Sequence, residues 1–188
     1  LDVLMNHLHL PIQSGNNEIL KSMRRDHTVE EYLDLIDELK SEVPDISLTT
    51  DIIVGFPGET DAQFQDTLKF MERIGYSSSF MFSYSPRPGT PANEFEDSVP
   101  EDVKSQRLQE IIKLQNRMTE EQGRLYKGKT IEMLIEGSSG KPGYSFKGRN
   151  PQYWRVNATG GERLYKPGDR VQVHIEQTSG HGLSGAIQ

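Results

Sequence analysis

A change of hydrophobic pattern near residue 126 constrains the fold of this chain more than any other feature of its sequence. Before that point, apolar runs of strand length alternate with stretches of helical periodicity. After it, only short strand-like runs remain, separated by Gly and Pro. Alternating strands and helices are typical of right-handed βαβ crossovers and a parallel sheet, whereas closely spaced short strands are typical of a small β-barrel. The sequence therefore predicts an α/β domain over residues 1–126 and an all-β domain over residues 127–188.

The first domain is predicted to contain strands over residues 3–12, 48–54 and 79–84, and helices over residues 17–25, 28–43, 60–75 and 98–126. The second strand is nearly all apolar, as expected of a strand buried on both faces. Three helices begin with the pattern of a capping box, in which Thr28, Thr60 and Ser98 each stand three residues before Glu or Gln. Pro100 falls at the position favoured for the first residue of the last helix.

Three parallel strands do not close a barrel, and the chain does not begin with Met, so we expect a fragment whose preceding part is missing. Residues 3–10 would then lie at a bare sheet edge. Because an unpaired apolar edge invites self-association, the isolated chain is predicted to dimerise or aggregate unless another segment covers that edge.

The second domain has the opposite charge to the first. Residues 1–126 contain 12 basic and 23 acidic side chains, a net charge of −11, whereas residues 127–188 contain 9 basic and 5 acidic side chains, a net charge of +4. A change of sign of this size suggests a second domain that faces a polyanion.

Five strand candidates, over residues 130–137, 144–148, 153–158, 170–177 and 182–187, predict a small OB-like barrel. Basic and aromatic residues alternate within it, as a surface that follows phosphates and stacks bases requires. The basic ones are Lys147, Arg149, Arg155 and Arg163, and the aromatic ones are Tyr144, Phe146, Tyr153 and Trp154. An alternative stays open, in which Trp154 lies in the core and the cations are only solvated.

Several site classes are excluded or disfavoured by composition. The chain has no cysteine, which excludes disulfides, zinc fingers and thiolate catalysis. No apolar run approaches the roughly 18 residues of a membrane span, so no membrane partner is predicted. His7 and His9 are two residues apart on one strand, but a structural role is the expected one, and no metal site is predicted.

Polar residues follow the predicted parallel strands, where such sheets place their functional groups. Gln13 and Ser14 suit hydrogen bonds to a ribose or carboxylate, or simply make a turn. Asp51, an acid near the end of an apolar strand, requires a partner. Glu59 can complement a helix dipole, and Arg87 lies in a rigid Pro-rich loop, where it can also pair with a surface carboxylate.

Four segments occur in the order HLPIQSGN, MRRDHT, TDIIVGFPGET and FSYSPRPGTPA. Together they resemble the later strands of the radical S-adenosylmethionine methylthiotransferases, and the basic second domain resembles the TRAM domain of those enzymes. The resemblance covers essentially the whole chain. It implies the last βα units of a partial TIM-type barrel, S-adenosylmethionine as cofactor, and two 4Fe-4S clusters whose cysteine ligands lie in a missing upstream part.

The resemblance also implies roles for individual residues. Gln13, Ser14 and Arg24 would approach the ribose and methionine end of the cofactor, and Ile53, Val54 and Gly55 would flank its adenine, with Asp51 in the same site. The family pattern GxIxGxxE is only partly matched, because Asp51 replaces its first Gly and Glu59 comes one residue late. No catalytic residue is predicted in this fragment. The substrate and RNA contacts are predicted at Arg87, Lys147, Arg149, Tyr153 and Arg155.

The loop over residues 87–90 resembles the branch of the family that adds a 2-methylthio group to isopentenyladenosine beside the tRNA anticodon. This implies a cytoplasmic enzyme that needs a tRNA anticodon stem-loop, an electron donor and a sulfur source. Three alternatives stay open: methylthiolation of threonylcarbamoyladenosine, methylthiolation of a ribosomal protein aspartate, and a non-enzymatic RNA-binding module.

Overall fold

The computed structural model describes residues 5–96, 98–160, 165–180 and 182–188. The chain divides into two compact units. The α/β unit comprises Leu8–Pro44 and Leu48–Met118, and the barrel unit comprises Leu1–His7, Asp45–Ser47 and Thr119–Gln188. Within the described residues, no helix combines the length and hydrophobicity needed to cross a bilayer.

The first 126 residues form strands and helices in the predicted alternation. The elements are β1 (His7–His9), α1 (Asn17–Ser22), α2 (Val29–Glu42), β2 (Ser47–Val54), α3 (Asp61–Ile74), β3 (Ser78–Ser83) and α4 (Glu101–Arg124). The described strands form one sheet in the order β1-β2-β3, and β2 pairs with β3 in parallel. The prediction of an α/β fold with parallel strands is therefore confirmed.

β1 is shorter than predicted because Pro11 interrupts its ladder, since proline has no N–H to donate. The hydroxyl of Thr50 replaces the missing strand partner, accepting from Ile12 N at 3.0 Å and donating to Leu10 O at 2.8 Å. Pairing resumes at Gln13, whose N–H donates to Asp51 O at 3.0 Å. β1 lies at an edge of the described sheet, residues 3 and 4 lie outside the described residues, and the predicted self-association stays a prediction.

Two of the predicted capping boxes are confirmed, at Thr28 and at Thr60. The third helix start differs from the prediction. Pro100 stands directly before the first helical residue, and its carbonyl accepts the bond from Lys104 N at 3.0 Å. The Ser98 hydroxyl instead accepts a bond from Gly58 N at 3.1 Å. α1 also ends three residues earlier than predicted, before Arg24 adopts a φ of 56°.

The two faces of β2 differ in burial. Leu48, Ile52 and Val54 are buried, together with residues of α2 and α3, in a core that holds Ile36, Phe64, Leu68, Met71 and Ile74. On the opposite face Asp51 and Ile53 are only half-buried. The expectation of a strand buried on both faces therefore holds only in part, because Thr49 is buried on this second face whereas Asp51 and Ile53 are not.

The second part of the chain is a closed five-stranded barrel with the order β4-β5-β6-β8-β7. Its strands are β4 (Thr130–Ser138), β5 (Phe146–Arg149), β6 (Arg155–Thr159), β7 (Arg170–Ser179) and β8 (Gly182–Ile187). The described pairs are antiparallel except β6 with β8, which is parallel. Trp154 is buried in the barrel core, the position that the alternative left open for this domain gave it. Arg163 lies outside the described residues.

Candidate functional site

One face of the sheet in the α/β unit is open. We call it the inner sheet face and define it by His9, Thr49, Asp51, Ile53, Phe80 and Phe82. Asp51 pairs in register with Phe80 and Ile53 with Phe82, so each pair lies on the same side of the sheet. Phe80 and Phe82 remain 61% and 53% exposed, which marks this face as an apolar surface beside a polar cluster.

The polar cluster on this face joins Asp51 to His9, the partner that the position of the acid required. His9 Nε2 lies 3.5 Å from Asp51 Oδ1, and His9 Nδ1 lies 3.0 Å from Thr49 Oγ1. His7 instead stacks on Tyr153, with ring centroids 4.5 Å apart. Among the described residues no group of three or more potential ligands could hold a metal ion, and both histidines have contacts within the fold.

The exit of β1 separates the two polar residues that sequence analysis grouped together. Gln13 is 7% exposed at the C-terminal edge of the sheet, and no described residue bonds its carboxamide. Ser14 is fully buried, and its hydroxyl lies 3.3 Å from Thr67 Oγ1 and accepts from Asn16 N. The structure thus leaves Gln13 available to a ligand, whereas the Ser14 hydroxyl is occupied within the fold.

The turn after β2 is held by a buried carboxylate. Gly55 has a φ of 71°, and a Cβ there would lie 2.5 Å from Lys104 Cγ, so only glycine fits. Its N–H donates to Glu59 Oε2 at 2.7 Å, and Arg107 Nη1 donates to the same oxygen at 2.9 Å. Arg107 also donates to Asp61 Oδ1. Burial raises the pKa of Glu59, and the bonds from Gly55 and Arg107 oppose that shift.

Sequence analysis missed Lys104 and Arg107, two charged residues of α4 that are 1% and 5% exposed. The available signal was spacing: these residues extend, at intervals of three and four, the buried row formed by Ile111, Leu114 and Met118. A cation in an apolar row indicates a buried partner, which for Arg107 is Glu59.

Three further predicted site residues lie in the core or in exposed turns. Val54 is fully buried on the helix side of β2, so its side chain belongs to the core. Arg24 is exposed in the turn after α1, and Arg87 is exposed in the loop after β3. No described contact joins either arginine to the strand ends.

The barrel collects its predicted cations on one surface, the cationic barrel face, defined by Lys147, Arg149 and Arg155. Arg149 and Arg155 are directly opposite each other across β5 and β6, and Lys147 lies on the same side two residues along β5. Lys147 and Arg155 are exposed, whereas Arg149 Nε donates to Glu136 Oε1 at 3.0 Å.

Two planar groups pack on the ring of Tyr153. The Arg149 guanidinium carbon lies 3.9 Å from the ring centroid, and the His7 ring stacks at 4.5 Å with an interplanar angle of 17°. Tyr153 is nevertheless 43% exposed, so a base that stacks on it would compete with these two groups for the ring.

Comparison with known proteins agrees with this geometry. Residues 1–71 match the model of the radical SAM superfamily. The whole chain is 46% identical to a tRNA-2-methylthio-N(6)-dimethylallyladenosine synthase from Desulfotalea psychrophila, and covers 41% of that protein. It is 42% identical over 99% of its length to the protein of the same name from Clostridium perfringens, and 43% identical over its full length to that from Protochlamydia amoebophila. Over its whole length the chain is thus similar to proteins of that name, and its first 71 residues match the radical SAM superfamily.

The chain spans about two fifths of the length of those curated relatives. A solved radical SAM structure, coproporphyrinogen III oxidase from Escherichia coli, resembles it with a TM-score of 0.51 at 18% identity, over 95% of this chain and 44% of the other. At that identity the likeness supports the fold alone. Without cysteine, the chain offers no thiolate for an iron–sulfur cluster, whereas the Gln13 carboxamide, which no described residue bonds, fits a polar organic cofactor.

Proposed function

We propose that this chain is the C-terminal part of an enzyme that adds a methylthio group to N6-dimethylallyladenosine, also called isopentenyladenosine, in tRNA. The observation that carries the proposal is the identity of 46% over the whole chain with a relative named for that product. The reaction would take place in the cytoplasm on a tRNA anticodon stem-loop, with an electron donor and a sulfur source.

The proposed cofactor site lies at the C-terminal edge of the sheet. The Gln13 carboxamide would bond the ribose or methionine end of S-adenosylmethionine, with Arg24 reaching the same end. The Gly55 turn and Ile53 would lie against the adenine, with Asp51 beside them. Ser14 and Val54 would support this edge from within the core, since both are fully buried. Bound S-adenosylmethionine would supply the radical chemistry, and cysteines outside this chain would hold the two 4Fe-4S clusters.

The barrel is proposed to be a TRAM domain of the OB-like type that docks tRNA. Its strand order, with β6 parallel to β8, supports the OB-like assignment. The cationic barrel face would contact phosphates, and Arg87 would contact the substrate from its loop. Such contacts position RNA without reading its sequence, so base specificity would come from the α/β unit.

Mass spectrometry of tRNA nucleosides tests this function in a strain that lacks the gene. We expect the 2-methylthio derivative of dimethylallyladenosine to disappear, its unthiolated precursor to accumulate, and the gene on a plasmid to restore it. Loss of the methylthio group from threonylcarbamoyladenosine, or from a ribosomal protein aspartate, would instead support one of the alternative substrates. Unchanged modification of all three would favour a non-enzymatic RNA-binding module.

A further inference from the structure

We propose that Phe80 and Phe82 form the surface that recognises the dimethylallyl substituent of the substrate base, and that Asp51 accepts the N6 hydrogen beside it. This inference rests on the proposed function, which supplies the substituent. It assigns substrate specificity to the inner sheet face.

The exposure of the two rings is the first argument. Phe80 and Phe82 are 61% and 53% exposed, although they belong to a central part of β3. The neighbouring Ser79 lies on the opposite face, where its hydroxyl donates to Gln115 Oε1 at 2.8 Å. Helix packing therefore uses the other side of the strand, and the two rings are left for an apolar partner.

The position of the rings is the second argument. Phe82 pairs in register with Ile53, one residue before the C-terminal end of β2. Parallel sheets bind their ligands at that end of the strands. A substrate lying beside a cofactor at Gln13 and Gly55 would therefore meet Phe82 first and Phe80 next along the strand.

The chemistry of the adjoining polar groups is the third argument. Asp51 is directly opposite Phe80, and its side chain retains 30% exposure beside His9. The His9 ring meets Phe80 edge-on at 5.9 Å, so the carboxylate, the imidazole and the aromatic surface adjoin. An N6-alkylated adenine presents the matching groups, an N–H donor that carries an apolar branch.

The same arrangement disfavours the competing modified base. A threonylcarbamoyl substituent carries its own carboxylate, which would face that of Asp51 and would have to lose water against two aromatic rings. An unmodified adenosine leaves the rings without a partner. The inner sheet face therefore distinguishes the three bases by repulsion as well as by attraction.

The test measures equilibrium binding of the full-length enzyme to two anticodon stem-loop RNAs, without reductant. One RNA carries dimethylallyladenosine and the other carries adenosine at the same position. We expect Phe80→Ala and Phe82→Ala each to weaken binding of the prenylated RNA about tenfold, while affinity for the unmodified RNA changes less than about twofold. Phe82→Leu, which keeps an apolar side chain, should retain most of the preference.

Leu35→Ala is the matched control, because Leu35 is a 44% exposed apolar residue on α2, away from the inner sheet face. If the Phe variants lower the affinity for both RNAs equally, the inference is overturned, since a merely structural role of the two rings predicts that result. Unchanged preference in both Phe variants would also overturn it and leave the proposed function intact. Two results together would overturn both the inference and the proposed function: equal affinity of the wild-type enzyme for the two RNAs, and unchanged modified nucleosides in the deletion strain.

Discussion

At the scale of single residues, the feature that sequence reasoning could not reach is the ion pair between Glu59 and Arg107. Glu59 was predictable as a carboxylate just before a helix, but its partner Arg107 lies 48 residues away on α4. Local patterns carry no information about such a pairing. Asp51 shows the opposite case: an acid in an apolar strand predicted a partner, and the structure supplies His9.

Removing Glu59 should destabilise the fold strongly. Its side chain is 1% exposed and that of Arg107 is 7% exposed, so Glu59→Ala removes the buried carboxylate partner of the guanidinium and leaves only Asp61, whose side chain is 91% exposed. We expect a loss of about 3–5 kcal/mol in the free energy of unfolding. Chemical denaturation of the chain measures it, with Arg117→Ala as control, because Arg117 and its partner Glu72 are about half exposed and such pairs contribute about 0–1 kcal/mol.

The double variant Glu59→Leu, Arg107→Met separates pairing from packing. If the unpaired charge of Arg107 causes the loss of stability in Glu59→Ala, the double variant should lose less stability than that single variant, because the buried guanidinium is gone. If the losses of stability in Glu59→Leu and Arg107→Met simply add up in the double variant, the ion pair is not the stabilising interaction.

Gln13 should act on cofactor affinity and not on folding. Since no described residue bonds its carboxamide, Gln13→Ala removes only a bond to the ligand. In the full-length enzyme we expect about a two- to tenfold weaker affinity for S-adenosylmethionine, measured by calorimetry, and a similar loss for Arg24→Ala. Ser14→Ala provides the contrast, because its hydroxyl bonds within the core and its loss should lower the melting temperature. Wild-type affinity in both the Gln13 and the Arg24 variants would remove these residues from the site.

At the scale of secondary structure, the sequence predicted those helix ends that are determined by contacts between residues close together in the chain. The caps at Thr28 and Thr60 are formed by residues three positions apart, and both were predicted. The start of α4 was not, because the Ser98 hydroxyl accepts a bond from Gly58 N, far along the chain. The end of β1 was placed too late although Pro11, which interrupts its ladder, is a local signal. Barrel strand positions followed from Gly and Pro punctuation, whereas the order β4-β5-β6-β8-β7 required the structure.

The capping box of α2 gives an element-scale prediction with a pH dependence. Thr28→Ala should cost about 1 kcal/mol in stability, and Thr28→Ser much less, because Ser keeps the hydroxyl that accepts from Glu31 N. Hydrogen bonds from the backbone and side chain of Thr28 lower the pKa of Glu31. This stabilisation is therefore complete above the ordinary pKa and is lost as pH falls through the lowered value.

Thermal unfolding of wild type and Glu31→Ala across pH checks this sign. The difference between their stabilities should be largest near pH 7 and shrink as the pH falls through the lowered pKa of Glu31. A difference that grows as the pH falls would contradict the cap as its source.

At the scale of the whole molecule, the two parts of the chain carry opposite net charges, and neither contains a cysteine that could bind an iron–sulfur cluster. Residues 1–126 carry a net charge of −11 and residues 127–188 a net charge of +4, and the chain has no cysteine. Reconstitution of the 188-residue chain with iron and sulfide should therefore give no cluster absorbance and, with S-adenosylmethionine and reductant, no 5′-deoxyadenosine. Either product would contradict the assignment of all cluster ligands to upstream sequence.

RNA binding by the chain should depend on salt through the cationic barrel face. Each phosphate contact contributes about 0.7–0.9 to the slope of log K against log salt. Replacing Arg149 and Arg155 by Ala should flatten the slope by somewhat over one unit. Because Arg149 is already bonded to Glu136 whereas Lys147 and Arg155 are exposed, the pair Lys147→Ala, Arg155→Ala should flatten it at least as much. Filter binding to several unrelated tRNAs at a series of salt concentrations measures these slopes.

Lys113→Ala is the control for overall charge, because Lys113 is an exposed lysine of α4 in the α/β unit. It should leave the slope unchanged. The barrel variants should lower the affinity for all the tRNAs by a similar factor, since phosphate contacts do not read sequence. An equal flattening by Lys113→Ala would mean that net charge alone governs binding. Loss of binding for a single tRNA would mean that these residues read bases, and either result would exclude electrostatic docking on this face.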